Sequence, residues 1–407
     1  IDPDRAKGMD TRLMRMVLDS AAERAGRELA GQLDVRAEIE RTIGDSYSSI
    51  GEFALADAHY DAAIAAARKA GLPPGEIGVI AMRRALGINA AGKSPDALTA
   101  ARVAWAQAST LLEGDPQRLK AESSFGTIER DAGKVDDSRN RLARVVEAFA
   151  AAGLAATPEA LDTRRELAIS ELVGGRYAEA QALLEPLIVE YVARYGEEDT
   201  HTIGARVTLA VLNNERENYP ESARILTPLL PQVERVYGPE HPRTLVVVMN
   251  LGSAIRYQKR YDEARPYYER ALTLARKLYG PTAPRTLMAE GNMSLMLRDA
   301  GDLVASERHA RFVADNAEAA FGDNPYRAGM YRGLATVLIR AGKHAEAERE
   351  LQRAWTIFIE APGYGEAHPR SQEVVDTFIE LYEAWGKPGP AAEWRARKTP
   401  ATAASAD

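Results

Sequence analysis

The stretch YGPEHPRTL, from Tyr237 to Leu245, returns as YGPTAPRTL from Tyr279 to Leu287, with seven of nine letters unchanged at a distance of 42 residues. Working outward, a Tyr-Gly or Phe-Gly pair recurs at Tyr195, Tyr237, Tyr279 and Phe321, always 42 residues apart. A second marker keeps the same clock. It opens short segments such as YAEA and YDEA at Phe53, Ser94, Val135, Tyr177, Tyr219, Tyr261, Leu303 and His344, in steps of 41, 41, 42, 42, 42, 42 and 41. So constant a period is the sequence signature of stacked supersecondary units.

Each unit holds two stretches with apolar or small residues at three- and four-residue spacing, which predicts two amphipathic helices. Two residues before the second helix stands a glycine in six of eight units (Gly51, Gly92, Gly133, Gly175, Gly301, Gly342), as suits a left-handed turn. Pro242, Pro284 and Pro325 mark expected starts of first helices. A further slot holds only Ala or Ser: Ala56, Ala97, Ser138, Ala180, Ser222, Ala264, Ser306 and Ala347. Paired helices must approach closely there. Composition agrees with helix, since only 7% of the 407 residues are aromatic and alanine is abundant.

Composition also narrows function. A net charge of −7 argues against a nucleic-acid partner. With no cysteine, disulfides, thiolate catalysis and cysteine metal sites are excluded. No run of 18 apolar residues occurs, so no span of a membrane is expected within the chain. It starts at Ile1, which leads us to expect a piece of a longer protein. No phosphate-binding glycine loop, kinase signature or H-E-x-x-H pair is found, so neither catalysis nor a metal or other cofactor is expected. Of the six histidines, His201, His241 and His368 fall at starts of first helices, and His59, His309 and His344 on partly solvated faces. The carboxylate pairs Glu197-Glu198 and Asp136-Asp137 fall in turns or first helical turns, where they complement the helix dipole.

Ile43-Gly44-x-x-Tyr47 with Ala56, Tyr60 and Ala63, and Leu251-Gly252 with Ala264, Tyr268 and Ala271, resemble the tetratricopeptide pattern. The 42-residue variant with Asn250 before the leucine is similar to the repeats of kinesin light chains. Two units depart: Arg84 takes a large apolar slot, and Ala310 takes an aromatic one. The resemblance implies an all-α tetratricopeptide-repeat solenoid, a right-handed superhelix of helix hairpins. The expected organisation is a capping helix in 1–34, eight repeats in 35–365, a capping helix pair in 366–398 and a disordered tail in 399–407. Asp10 is the expected cap of the first helix, with Leu13, Met16, Val17, Ala21, Ala25 and Leu29 on its packed face.

Asp2-Pro3, Gly8, Leu18-Asp19, Ala22, Arg24, Glu28-Leu29, Val35-Arg36-Ala37 and Ile43-Gly44 carry a second resemblance. They are similar to the segment that follows the membrane helix in bacterial transmembrane serine/threonine protein kinases. That implies a sensor region on the periplasmic side of the inner membrane, with a kinase and a membrane helix upstream. The alternative is a free-standing cytoplasmic scaffold.

In the repeat family the first helices line a concave groove. Counting from the Leu-Gly register places Arg130, Arg165, Thr208, Asn214, Asn250, Arg256, Asn292, Arg298 and Arg332 on that wall. Asn can pair with both N–H and C=O of an extended chain, and Arg forks suit carboxylates. The expected partner is therefore a peptide or protein segment of acidic character. The aromatic ends Tyr195, Tyr237, Tyr279 and Phe321 are read as packing between repeats.

Overall fold

Nineteen α-helices and no strand make up the described residues (11–29, 31–361 and 364–398) of the computed structural model. They are α1 (Thr11–Glu28), α2 (Leu33–Ser49), α3 (Phe53–Ala70), α4 (Pro74–Ala90), α5 (Ser94–Ala108), α6 (Pro116–Asp131), α7 (Val135–Ala151), α8 (Pro158–Val173), α9 (Tyr177–Tyr195) and α10 (Thr200–Glu215). There follow α11 (Tyr219–Tyr237), α12 (Pro242–Tyr257), α13 (Tyr261–Tyr279), α14 (Pro284–Asp299), α15 (Leu303–Phe321), α16 (Arg327–Arg340), α17 (His344–Glu360), α18 (Pro369–Ala384) and α19 (Pro388–Ala396). The chain forms two compact units, Ile1–Glu217 with Arg235–Gly238, and Asn218–Glu234 with Pro239–Asp407. Asp10 and the tail 399–407 lie outside the described residues.

The turn slot explains why each pair is built alike. Its six glycines have φ between 73° and 88°. In the two units that lack glycine, Glu217 and Lys259 take the same left-handed backbone at φ 58° and 63°. The turn is thus imposed by helix packing, and these two residues carry local strain of about 1–2 kcal/mol each.

All eight Ala/Ser residues of the close-approach slot are 0% exposed. Two of its three serines also bond to a neighbouring helix: Ser138 Oγ lies 2.9 Å from Ser170 Oγ of α8, and Ser306 Oγ donates to the Ser294 carbonyl of α14 at 2.8 Å. The tightest approach is in the second pair, where a Cβ on Gly78 would stand 2.2 Å from the Ala108 backbone nitrogen. Arg84, in a slot expected to be apolar, reaches back to α3 and pairs with Asp57 at 2.8 Å and Asp61 at 3.1 Å.

In the first unit successive helices pack on each other from α1 to α10, and the first helices α2, α4, α6, α8 and α10 also touch in series. In the second unit the same holds from α12 onward, with α14, α16 and α18 in series. Such nearest-neighbour stacking leaves the ends needing cover. At the C-terminal end Trp394 of α19 stacks on Phe378 at 3.8 Å and meets Trp355 edge-on at 5.1 Å.

Two local readings are corrected. Met16 and Val17 of α1 are 68% and 43% exposed, and Ala21 is exposed. The packed stripe is Leu18, Ala22 and Leu29, drawn inward because Asp19 accepts a hydrogen bond from Tyr47 at 2.5 Å. And α16 begins at Arg327, two residues past Pro325, because the Asn324 side chain accepts from the Tyr326 N–H at 2.9 Å and closes a turn first.

The helix-start histidines act as caps or neighbours of caps. His241 and His368 accept from Arg243 N and Arg370 N, each at 3.1 Å, and His201 follows the Asp199 cap of α10. His59 and His309 lie on partly solvated faces and reach inward from them. Each lies within 2.7 Å of a glutamate that is almost fully buried, Glu40 or Glu290.

Candidate binding site

The wall of first helices is where the nine singled-out residues belong, and the structure divides them by chemistry. In the first unit Arg130 and Arg165 converge on Glu166 at 2.8 and 2.7 Å. Burial raises the Glu166 carboxyl, but the two arginines outweigh it and hold it low. Thr208 donates to the Gly204 carbonyl of its own helix at 3.0 Å. Asn214 is half-buried in α10.

In the second unit Arg256 and Arg298 converge on Asp299, each at 2.8 Å, and Arg298 also donates to Thr336 at 3.1 Å. Arg332 pairs with Glu373 at 2.6 Å. Asn250 donates to the Val246 carbonyl of its own helix at 2.9 Å.

The first unit repeats this device: Asp131 accepts from Asn89 at 2.7 Å and from Arg130 at 3.0 Å. In both places a side chain five residues past the large apolar slot reaches the carboxylate one position further on in the next repeat. The arginines therefore stitch first helices together. Each of these arginines already meets a carboxylate of the wall.

Asn292 is the exception. It borders a depression of about 140 Å³ between α14 and α16, floored by Ala310 and Val313 of α15. Met288 and Met330 flank it, at the same slot of successive repeats, and Val246 holds that slot in α12; Met288 and Val246 are each 38% exposed. Gly291, Gly329 and Gly333 form its walls, and a Cβ at any of them would meet nothing within 4 Å. The hollow exists because side chains are missing. Corresponding positions to Ala310 hold Tyr60, Leu142, Leu184, Leu226, Tyr268 and Leu351. Ala101 is also small, but there the close contact at Gly78 shuts the gap.

Ala310, Met288 and Met330 were not among the expected binding residues. The departure at Ala310 was the signal that could have found them. The aromatic ends behave as packing: Tyr195 lies 6.0 Å from Tyr191 and Tyr237 is 6% exposed. Among the described residues no His, Asp and Glu side chains gather in a group of three that could hold a metal, and no helix is long and apolar enough to cross a membrane.

Comparison with known proteins agrees with this geometry. The family model of the tetratricopeptide repeat matches residues 245–311. No curated protein matches the chain. Among solved structures, the apo form of the quorum sensor NprR from B. thuringiensis superposes with a TM-score of 0.57 at 13% identity, over 78% of this chain and 86% of that one. A signal transduction ATPase with a tetratricopeptide repeat sensor, PH0952 from Pyrococcus horikoshii, gives 0.58 at 12% identity, over 91% of this chain and 53% of its own. The apo form of RapI gives 0.52 at 9% identity, over 95% and 96%. These likenesses concern the fold, and with the repeat register, the buried small-residue slot and the matched segment they identify it: the chain is an all-α tetratricopeptide-repeat solenoid.

Proposed function

We propose that the chain is a recognition module that binds a protein segment along the first helices of its second unit, anchored by one apolar side chain in the depression between Met288 and Met330. The observation that carries this reading is the hollow itself. A well-packed repeat would fill it, and an open apolar recess flanked by two methionines suits a partner's side chain, methionine being an adaptable contact surface. Asn292 on its rim supplies an amide for the partner's main chain. The partner is thus selected by an apolar anchor.

The sensor reading rests on the N-terminal resemblance. In it the module is the ligand-recognition region of a bacterial serine/threonine kinase, follows a membrane helix and works on the periplasmic side. Two of the similar folds, NprR and PH0952, are themselves described as a quorum sensor and as carrying a repeat sensor. The longer reading frame tests this part: a kinase domain and one hydrophobic helix ahead of Ile1 support it, and a start codon at that point refutes it.

For the groove, peptides selected from a random library against the intact chain should share one apolar anchor. Gly333→Leu, which projects into open space, should abolish their binding while leaving the melting temperature unchanged. Selected peptides that bind Gly333→Leu as well as the parent would refute the assignment.

A further inference from the structure

We propose a second, separate site: the open depression between α15, α16 and α17 binds the phosphate of a phosphomonoester. It encloses about 470 Å³ and is bordered by three arginines, Arg327, Arg349 and Arg353. The single carboxylate on its border is Glu318, which is 72% exposed and stands 3.4 Å from Arg353.

This imbalance sets the place apart. Along the first helices Arg130, Arg256, Arg298 and Arg332 each meet a carboxylate at 2.8 Å or less. Here Arg349 makes no ion pair among the described residues, in a chain whose net charge is −7. A fixed excess of positive charge in a recess is what an anion needs.

Two of the guanidinium groups are also held in place. Arg353 lies 3.9 Å from the centre of the Tyr331 ring, and that tyrosine is 1% exposed. Arg327 donates to the Gly322 carbonyl at 2.6 Å, and its Nε is buried with no partner. Its nearest acid, Asp323, is 3.9 Å away and fully solvated. Glu350 is close to Arg349 and Arg353 and burial pushes its carboxyl up, but it does not border the recess. Gln352 and Thr356 border the recess and add neutral donors.

Three guanidinium forks match the three terminal oxygens of a phosphomonoester dianion better than the two of a carboxylate. The phosphate could belong to a free small molecule or to a phosphorylated side chain on a partner. Both present the same chemistry to the recess.

The test is calorimetric titration of the intact chain with inorganic phosphate, with O-phospho-L-serine and with a short phosphoserine peptide, with serine as the blank. Saturable binding is expected, weakened about tenfold or more by Arg349→Ala. Because Arg349 is exposed, that variant should melt at the parent temperature. Arg353→Gln should weaken binding likewise. Tightest binding by the phosphopeptide assigns the phosphate to a partner's side chain, and equal binding of all three phosphates assigns it to a free small molecule. No saturable binding, or equal affinity in the parent and in Arg349→Ala, overturns the proposal.

Discussion

Replacing Arg256 by alanine separates the two roles that its position allows. A groove residue that binds ligand could be removed at little cost to the fold. The structure assigns it the opposite role. Its side chain is 6% exposed, its Nε meets Asp299 at 2.8 Å, and its guanidinium sits 4.5 Å from the centre of the Tyr257 ring. Breaking a buried ion pair by deleting one partner costs ~3–5 kcal/mol when the other charge is stranded. Asp299 is not stranded, because Arg298 stays 2.8 Å away. The electrostatic loss is then nearer ~1–2 kcal/mol, to which the buried stem adds ~1–2 kcal/mol and the ring contact ~0.5–1 kcal/mol. We expect Arg256→Ala to lose about 3–4 kcal/mol in urea unfolding followed by circular dichroism. Arg298→Ala, at a more exposed position, should lose only about 1 kcal/mol. A double-mutant cycle of Arg256→Ala with Asp299→Asn should show coupling of about 1–2 kcal/mol. An Arg256→Ala variant within about 0.5 kcal/mol of the parent, with coupling near zero, would refute the stitching role.

Three further predictions concern backbone and pH. Gly78→Ala should destabilise by about 3 kcal/mol or more by thermal or urea unfolding, because the new methyl would meet main chain that cannot move aside; Lys259→Gly should stabilise by about 0.5–1 kcal/mol by relieving its left-handed strain. Burial raises the Glu290 carboxyl, but its bonds to His309 at 2.6 Å and Arg276 at 2.5 Å outweigh this and hold it below the ordinary 4.5. A carboxylate held low in the fold stabilises fully above its unfolded value, and that contribution is lost as the pH falls through the folded value. Stability should therefore drop as acid is added below pH 4.5, more steeply in the parent than in Glu290→Gln, and identical acid slopes would refute the assignment.

Much of the fold was legible because it repeats. The 42-residue step located the turns, and the demand for small residues located the contact where all eight are sealed from solvent. The groove was legible only as a wall. Counting from Leu251 or Met293 shows which side chains face one way, but Arg256 was read by its own charge and not by its neighbour in the next repeat. Asp131 and Asp299 occupy one slot four repeats apart, and that coincidence was present in the letters. The α1 face failed for a related reason, since periodicity alone cannot choose between two adjoining stripes when one polar bond, Asp19 to Tyr47, decides. The recess was hardest to foresee, because it is made of side chains that are not there.

That recess has an unusual construction. Gly291, Gly329 and Gly333 leave main chain as its walls, whereas Met288 and Met330 stand at its mouth. A helix backbone has no rotamers with which to yield, but a thioether chain has several. Such a socket is strict about how deep a guest may reach and lenient about how wide it is. Straight-chain guests of graded length should therefore show an abrupt cutoff, while branching near their base is tolerated.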